Sequence, residues 1–513
     1  MAVVTVERLD HLGLIAEVIK DLGLLGMIDA RLVPDEQEVL TPGEAVAGMM
    51  LNGLGFSNRP LSLTPQFVAT KPLDLLFREG VHAELFNRFK LGRTLEEVSA
   101  SGCDLLFSEL ALAVCGQAGI DQRFNHLDTT SFSLTGDYVP ESDEQALTIT
   151  HGYSKDHRPD LKQAVLELMV AQDGGVPLVS KSWDGKTSDT PIFQERAKAL
   201  MATFQHSPTP RYLVADSTLY NEDNAATLKT LGFITRIPNT LKLVVQVSTQ
   251  GRRWGTWHRL DATTRYPRIE LCHYGMAQRW LVVSSQGALE RAEARITKAC
   301  QREAEAIDKQ LFHLHARRLE TPEAAPAALA TLEKAWKYHQ VGSSRLLAHK
   351  HYASTGRPMP TSPIKSIVWQ MQAQARPAQE QIAYYKECKA CFVVGTNIGP
   401  SQLSDPEVMR AYKGQAQAEG GFRFLKDPLF FVSSLLVKKP CRIQGRLLVM
   451  TLALLVYSVT QRRLRQHLAH QTETVPNQIN QPTERANLAL GLPAPRRDSS
   501  RPRDRARPGA RPD

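Results

Sequence analysis

Three acids far apart in the chain, Asp128, Asp216 and Glu419, have the residue types and settings that support chemistry. Glu419 lies in Tyr412-Lys-Gly-Gln-Ala-Gln-Ala-Glu-Gly-Gly-Phe-Arg-Phe-Leu-Lys426. Read as one helix, this stretch puts Tyr412, Gln415, Glu419, Arg423 and Lys426 on one face, because side chains three, four and seven positions apart share a face. Taken alone, such a stripe is equally a solvated face with a Glu–Arg pair. Asp128 and Asp216 change the reading. Asp128 falls inside the β-prone run 124–133, and Asp216 ends the short apolar run 211–216. Two acids on strands and a third on a helix suit two-metal phosphoryl transfer, in which paired Mg²⁺ ions roughly 3.5–4 Å apart clamp the attacking and leaving oxygens. Mg²⁺ takes hard oxygen ligands and keeps several waters, so three carboxylates suffice. Without metal, clustered carboxylates repel and raise one another's pKa.

The elements that must hold these residues follow from pattern. Residues 1–120 read as a helical module for DNA binding or dimerisation, with apolar residues at helical spacing from Leu12 to Leu22. Thr41-Pro42-Gly43-Glu44 starts a helix through Leu51, and another runs from Ser101 to Cys115. Strands are then expected at 124–133, 146–151, 163–170 and 176–182, joined by hairpin-style turns. A helix at 192–204, the strand 211–216, a helix at 221–231 and a strand at 233–237 follow. Antiparallel strands followed by helix–strand–helix–strand is the order of a ribonuclease-H-like α/β core, a mixed sheet, here residues 121–239. Residues 240–389 read as an α/β insertion before the last catalytic helix. It holds strands at 243–248 and 280–284, a charged helix at 287–315 and a second at 324–339. A strand at 391–396 returns to the core, whose last part is 390–470. The tail, 471–513, alternates Arg, Pro, Asp and Ser toward its end and reads as disordered.

Composition sets the outer bounds. The 513 residues carry a formal charge of +9, which points to a polyanionic partner. A hydrophobic share of 42% and a mean hydropathy of -0.28 describe a soluble globular chain. Seven scattered cysteines make no disulfide framework and fit a reducing cytoplasm. Cys388-Lys-Ala-Cys391 stands without a second pair, and His313 and His315 read as surface residues. The apolar run 447–459 is too short for a membrane span of about 20 residues and reads as a buried helix. Trp254 and Trp257, among arginines, either stack on an unpaired base or pack in a core.

These residues support a family resemblance. Tyr412-x2-Gln415-x3-Glu419-x6-Lys426 keeps the spacing of a Tyr-x2-Arg-x3-Glu-x6-Lys signature. With Leu127-Asp-Thr-Thr-Ser131 and Gly152-Tyr-Ser-Lys-Asp-His-Arg-Pro-Asp-Leu-Lys-Gln163, the chain resembles the DDE transposases of bacterial insertion sequences, of the IS-four superfamily and its sixteen-thirty-four type. The resemblance covers roughly residues 5–485. It implies that Asp128, Asp216 and Glu419 bind two Mg²⁺ or Mn²⁺ ions per active site, and that Tyr412 and Lys426 contact DNA phosphates. Lys155, His157 and Arg158 would line the DNA groove. The implied reaction is hydrolysis at the element's ends, then attack of the freed 3′-OH on target DNA. The implied partners are terminal inverted repeats, target DNA and a second subunit on DNA, with no membrane. Gln415 stands where the signature has Arg, and Arg423 is the candidate to supply the lost charge. Gly420 and Gly421 weaken the helix or allow close approach. After Arg485 the sequence leaves the family pattern, as a reading-frame shift or a basic tail would make it. The rival readings are a catalytically inactive DNA-binding remnant and a nuclease that cuts without joining.

Overall fold

The structure is a computed structural model. It describes residues 9, 11–56, 60–138, 147–205, 207, 209–353, 359, 362–427, 430, 438–477 and 481–484. The expected disordered tail beyond 484 lies outside the described residues. The chain divides into two compact units, Met1–Ile234 with Glu407–Asp513, and Thr235–Pro406.

The first unit holds β1 (Phe124–Leu134), β2 (Lys162–Ala171), β3 (Pro177–Trp183), β4 (Tyr212–Ala215) and the start of β5 (Phe233–Arg236), in the order β3-β2-β1-β4-β5. β1 and β2 are antiparallel with Asp128 opposite Leu168, and β2 and β3 are antiparallel with Leu168 opposite Ser180. β1 and β4 are parallel. This is a mixed sheet, and it places the end of β4 beside Leu127, inside β1. The expected strand at 146–151 is absent: its described residues, 147–151, make only an isolated bridge, Thr150 to Gln163. The expected helix at 221–231 shrinks to Ala225–Leu228.

Helices cover this sheet. Pro42–Leu54 is buried along its whole length. Its start is the capping box the sequence shows, with Glu44 N–H donating to Thr41 Oγ1 at 3.1 Å and Thr41 N–H to the Glu44 carboxylate at 3.0 Å. Pro440–Gln471 is the central helix, buried at every residue from Gly445 to Thr460. It is long and apolar enough to cross a membrane, yet 94% of that apolar window is buried inside the protein. One hydrophobic cluster joins it to the N-terminal helices, to β1–β3 and to the helix Ala416–Leu425.

The second unit contains β6 (Trp257–Arg259), β7 (Thr264–His273) and β8 (Met276–Ser285), a long ribbon of β9 (His339–Tyr352) and β10 (Ile364–Pro377), and β11 (Cys391–Thr396). β6–β7, β7–β8 and β8–β11 are antiparallel pairs. The helices Gln286–Ala316 and Ala324–Glu333 pack on the ribbon around Met371 and Leu329. Residues 243–248 are not a strand but part of the helix Lys242–Trp254. Burial within them falls on Val244, Val247 and Ser248, the three-and-four spacing of a helix. Trp254 is 84% exposed and Trp257 36%, so neither is core, and Arg265 lies over the Trp257 ring. None of the seven cysteines forms a disulfide.

Candidate active site

β1 and β4 run parallel with Leu127 beside Ala215, so the next position on each strand is an acid, Asp128 and Asp216. Parallel register partners project to the same face. Asp128 lies within β1 and Asp216 just past β4, near enough for the Asp216 charge to act on Asp128. Asp128 accepts the Thr129 N–H at 2.7 Å. Burial pushes its carboxyl up to about 7, aided by the charges of Asp216 and Asp189 and opposed by Lys155 and the Thr129 N–H. Asp216 caps the turn Ser217–Leu219, accepting the Thr218 N–H at 2.9 Å and its hydroxyl at 3.2 Å.

Glu419 is placed differently from the expectation. The stretch 412–426 is not one helix: Asp405–Lys413 ends, Gly414 and Gln415 form a turn, and Ala416–Leu425 begins. Tyr412 therefore belongs to the first helix, and Glu419 with Arg423 to the second. Both Glu419 and Arg423 are exposed, on the helix whose other face buries Ala418, Gly421, Phe422 and Leu425. Gly421 lies so close to the core that a Cβ there would stand 3.2 Å from Leu168 and 3.3 Å from Leu454, whereas Gly420 faces open space.

Gln415 is buried and does not reach outward. Its amide Nε2 donates to the Leu127 carbonyl at 3.1 Å, so its Oε1 accepts from Nδ1–H of the buried His126 at 3.2 Å. His126 Nε2 stands 3.2 Å from the Gln172 side chain. Burial holds the His126 pKa below its usual value, against the pull of the Gln415 and Gln172 side chains. Gln415, also expected to contact DNA, has both ends of its amide engaged with residues one and two positions before Asp128. Gly414 makes room for this arrangement, since a Cβ there would meet Gln172 Oε1 at 2.7 Å, His126 Nε2 at 2.8 Å and Ala411 O at 2.9 Å. Gly414→Ala is expected to cost about 1–3 kcal/mol by overpacking. Chemical denaturation checks it; an unchanged midpoint would refute the tight fit.

The expected DNA-groove residues are tied to acids of this chain. Lys155 Nζ donates to Thr129 O at 2.8 Å and Thr129 Oγ1 at 2.5 Å, and pairs with Asp189 at 3.0 Å. Arg158 pairs with Asp160 at 2.7 Å, and Lys426 with Asp156 at 2.7 Å. His157 is exposed in a left-handed backbone conformation. Asp189, which also accepts from Thr129 Oγ1 at 2.5 Å, was not singled out in the sequence. Its cue, Asp189-Thr-Pro191, marks a helix start and carries no sign of a site.

Among the described residues no group of three or more His, Cys, Asp or Glu side chains is gathered to hold a metal ion. The aspartate pair nevertheless fits a hard divalent cation. Two carboxylates follow neighbouring strand positions, and desolvation raises the Asp128 carboxyl to about 7, a cost a bound cation would relieve.

The comparisons with known proteins agree with the catalytic class. Residues 126–456 match the family model described as a transposase DDE domain, and residues 4–112 match a domain of unknown function, DUF4277. The first match spans more than half of the chain, which belongs to the DDE transposase family. No curated protein sequence matches it. A cryo-EM structure of a piggyBac transposase synaptic complex with hairpin DNA aligns at 11% identity and a TM-score of 0.24, over 51% of this chain and 59% of that one. A likeness at this score carries no argument about the fold.

Proposed function

We propose that the chain is a transposase of the IS-four type whose first unit is a ribonuclease-H-like core. It hydrolyses DNA at the ends of its element and joins the freed 3′-OH to target DNA. The observation that carries this reading is the parallel register that sets Asp128 beside Asp216 in a sheet ordered β3-β2-β1-β4-β5. Asp128, Asp216 and Glu419 would hold Mg²⁺ or Mn²⁺, which supplies charge stabilisation for the attacking and leaving oxygens when bound. The strands fix the two aspartates rigidly. Glu419, exposed on the helix Ala416–Leu425, is the proposed third ligand. Lys155, anchored on Thr129 and Asp189, lowers the Asp128 pKa through its charge and is a proposed phosphate contact. Tyr412, Arg423, Lys426, His157 and Arg158 are the further proposed DNA contacts, on a protein that acts as a homodimer on paired ends. For Lys426 and Arg158 this requires the DNA to replace Asp156 and Asp160 as partners.

The test is cleavage of DNA carrying the element's flanking ends, with and without Mg²⁺ or Mn²⁺, followed by joining of a pre-cleaved end. Metal-dependent nicking that exposes 3′-OH ends, and strand-transfer products, are expected. Nicking without transfer would leave a nuclease. End-specific binding without nicking would leave an inactive remnant.

A further inference from the structure

A second charged site lies within the unit Thr235–Pro406, away from any residue assigned a role above. Arg236 ends β5, Arg291 and Arg295 stand one turn apart near the start of the helix Gln286–Ala316, and Lys389 lies at the end of the helix Gln379–Ala390. All four line one recess of about 350 Å³, floored by Ala292 and Phe392. No acid lines it. All four cations are exposed, and among the described residues none of them makes an ion pair. Arg236 lies over the Phe392 ring, 5.6 Å from its centroid.

This arrangement is unfavourable in isolation. Like charges at i and i+4, as in Arg291 and Arg295, destabilise a helix. Two more cations around the same recess add to the repulsion. An oxyanion between them would relieve it, and guanidinium groups match phosphate oxygens in pairs. Ala288 and Ala292, on the same helix face, leave the recess uncovered. Its volume equals that of roughly ten water molecules, more than one small ion needs and enough for a run of sugar and phosphate. The lining offers one aromatic ring, already covered by Arg236, and so no platform for a base.

We propose that this recess binds phosphate groups of a DNA backbone without reading sequence. The choice of DNA as the source of phosphate rests on the transposase reading; the choice of a phosphate-type oxyanion does not.

The experiment uses the full chain. Binding of a short duplex is measured by fluorescence anisotropy across a salt series for wild type, for Arg291→Ala with Arg295→Ala, and for Lys389→Ala, with circular dichroism as the control for folding. Each lost phosphate contact flattens the slope of log affinity against log salt by about 0.9. The double variant is expected to lose between about one and two units of slope, and Lys389→Ala about one, equally on unrelated sequences. Lys389 lies on a different helix, so a local defect in the first helix cannot produce both results. Unchanged slopes in both variants would overturn the site. If wild type binds no DNA, the transposase reading fails, and titration with inorganic phosphate decides. Phosphate binding that disappears in the double variant would keep the oxyanion site and replace its source. No phosphate binding would remove it.

Discussion

Asp128→Asn is expected to lower end cleavage by about three orders of magnitude or more, while raising the melting temperature of the metal-free protein at pH 8. The two effects share one cause. Asp128 is half-buried, with the charges of Asp216 and Asp189 near it, and desolvation pushes its carboxyl up to about 7 in the fold against an ordinary value of 3.8. A raised carboxyl binds its proton more tightly when folded. Below about pH 4 both states hold the proton and the group costs nothing. Between about pH 4 and pH 7 the unfolded chain loses the proton first, so stability falls as pH rises. Above that range the full penalty is present. Asn keeps the shape and removes the charge, so its gain is expected at pH 8, on the order of a few degrees, and is expected to vanish near pH 4. Thermal melts at both pH values in chelator check this. A destabilised variant at pH 8 would mean that the carboxylate is well compensated without metal. Glu419→Gln separates the roles: Glu419 is exposed, so the same loss of cleavage is expected with no change in melting temperature. Full cleavage by Glu419→Gln would remove it from the metal-binding set.

The contrast between these acids also shows what the sequence could and could not reveal. The strands beside Asp128 and Asp216 are legible because their apolar, β-prone runs are local features. β1–β5 follow the pattern with one false strand, 146–151, whose described residues carry alternation but find only a single bridging partner. The helix Lys242–Trp254 was misread because a short apolar run has no period long enough to separate a helix from a strand. The ribbon β9–β10 was missed because its pairing joins residues such as Leu346 and Met371 across a connection that no local signal marks. The turn at Gly414 and Gln415 was hidden for a related reason. Helical spacing continues through it, and what breaks the helix is a partner on β1. The sequence likewise shows Lys155 and Lys426 as free cations, and only the fold reveals Asp189 and Asp156 opposite them.

Gln415→Leu is expected to slow cleavage between about tenfold and a hundredfold while leaving affinity for end DNA unchanged. The argument runs through position. Gln415 joins the start of the helix carrying Glu419 to the Leu127 carbonyl and to His126, immediately before Asp128 on β1. It therefore ties the third acid to the strand that holds the first. A displacement of about 1 Å at a catalytic group costs up to a hundredfold in rate. Leu fills the volume and leaves the His126 N–H buried without its partner, at about 1–3 kcal/mol. Its melting temperature is expected to fall by several degrees. Gln415→Arg restores the residue of the family signature and separates the two explanations for this position. As a phosphate contact, Arg would strengthen DNA binding and leave stability alone. In this structure it would bring an uncompensated charge against a buried imidazole, and it is expected to destabilise more than Leu does. His126→Gln, whose amide can still pair with Gln415, should retain more activity than His126→Leu. Melting curves beside cleavage rates and DNA affinity for the four variants check the account. Stronger DNA binding by Gln415→Arg at an unchanged melting temperature would sink it.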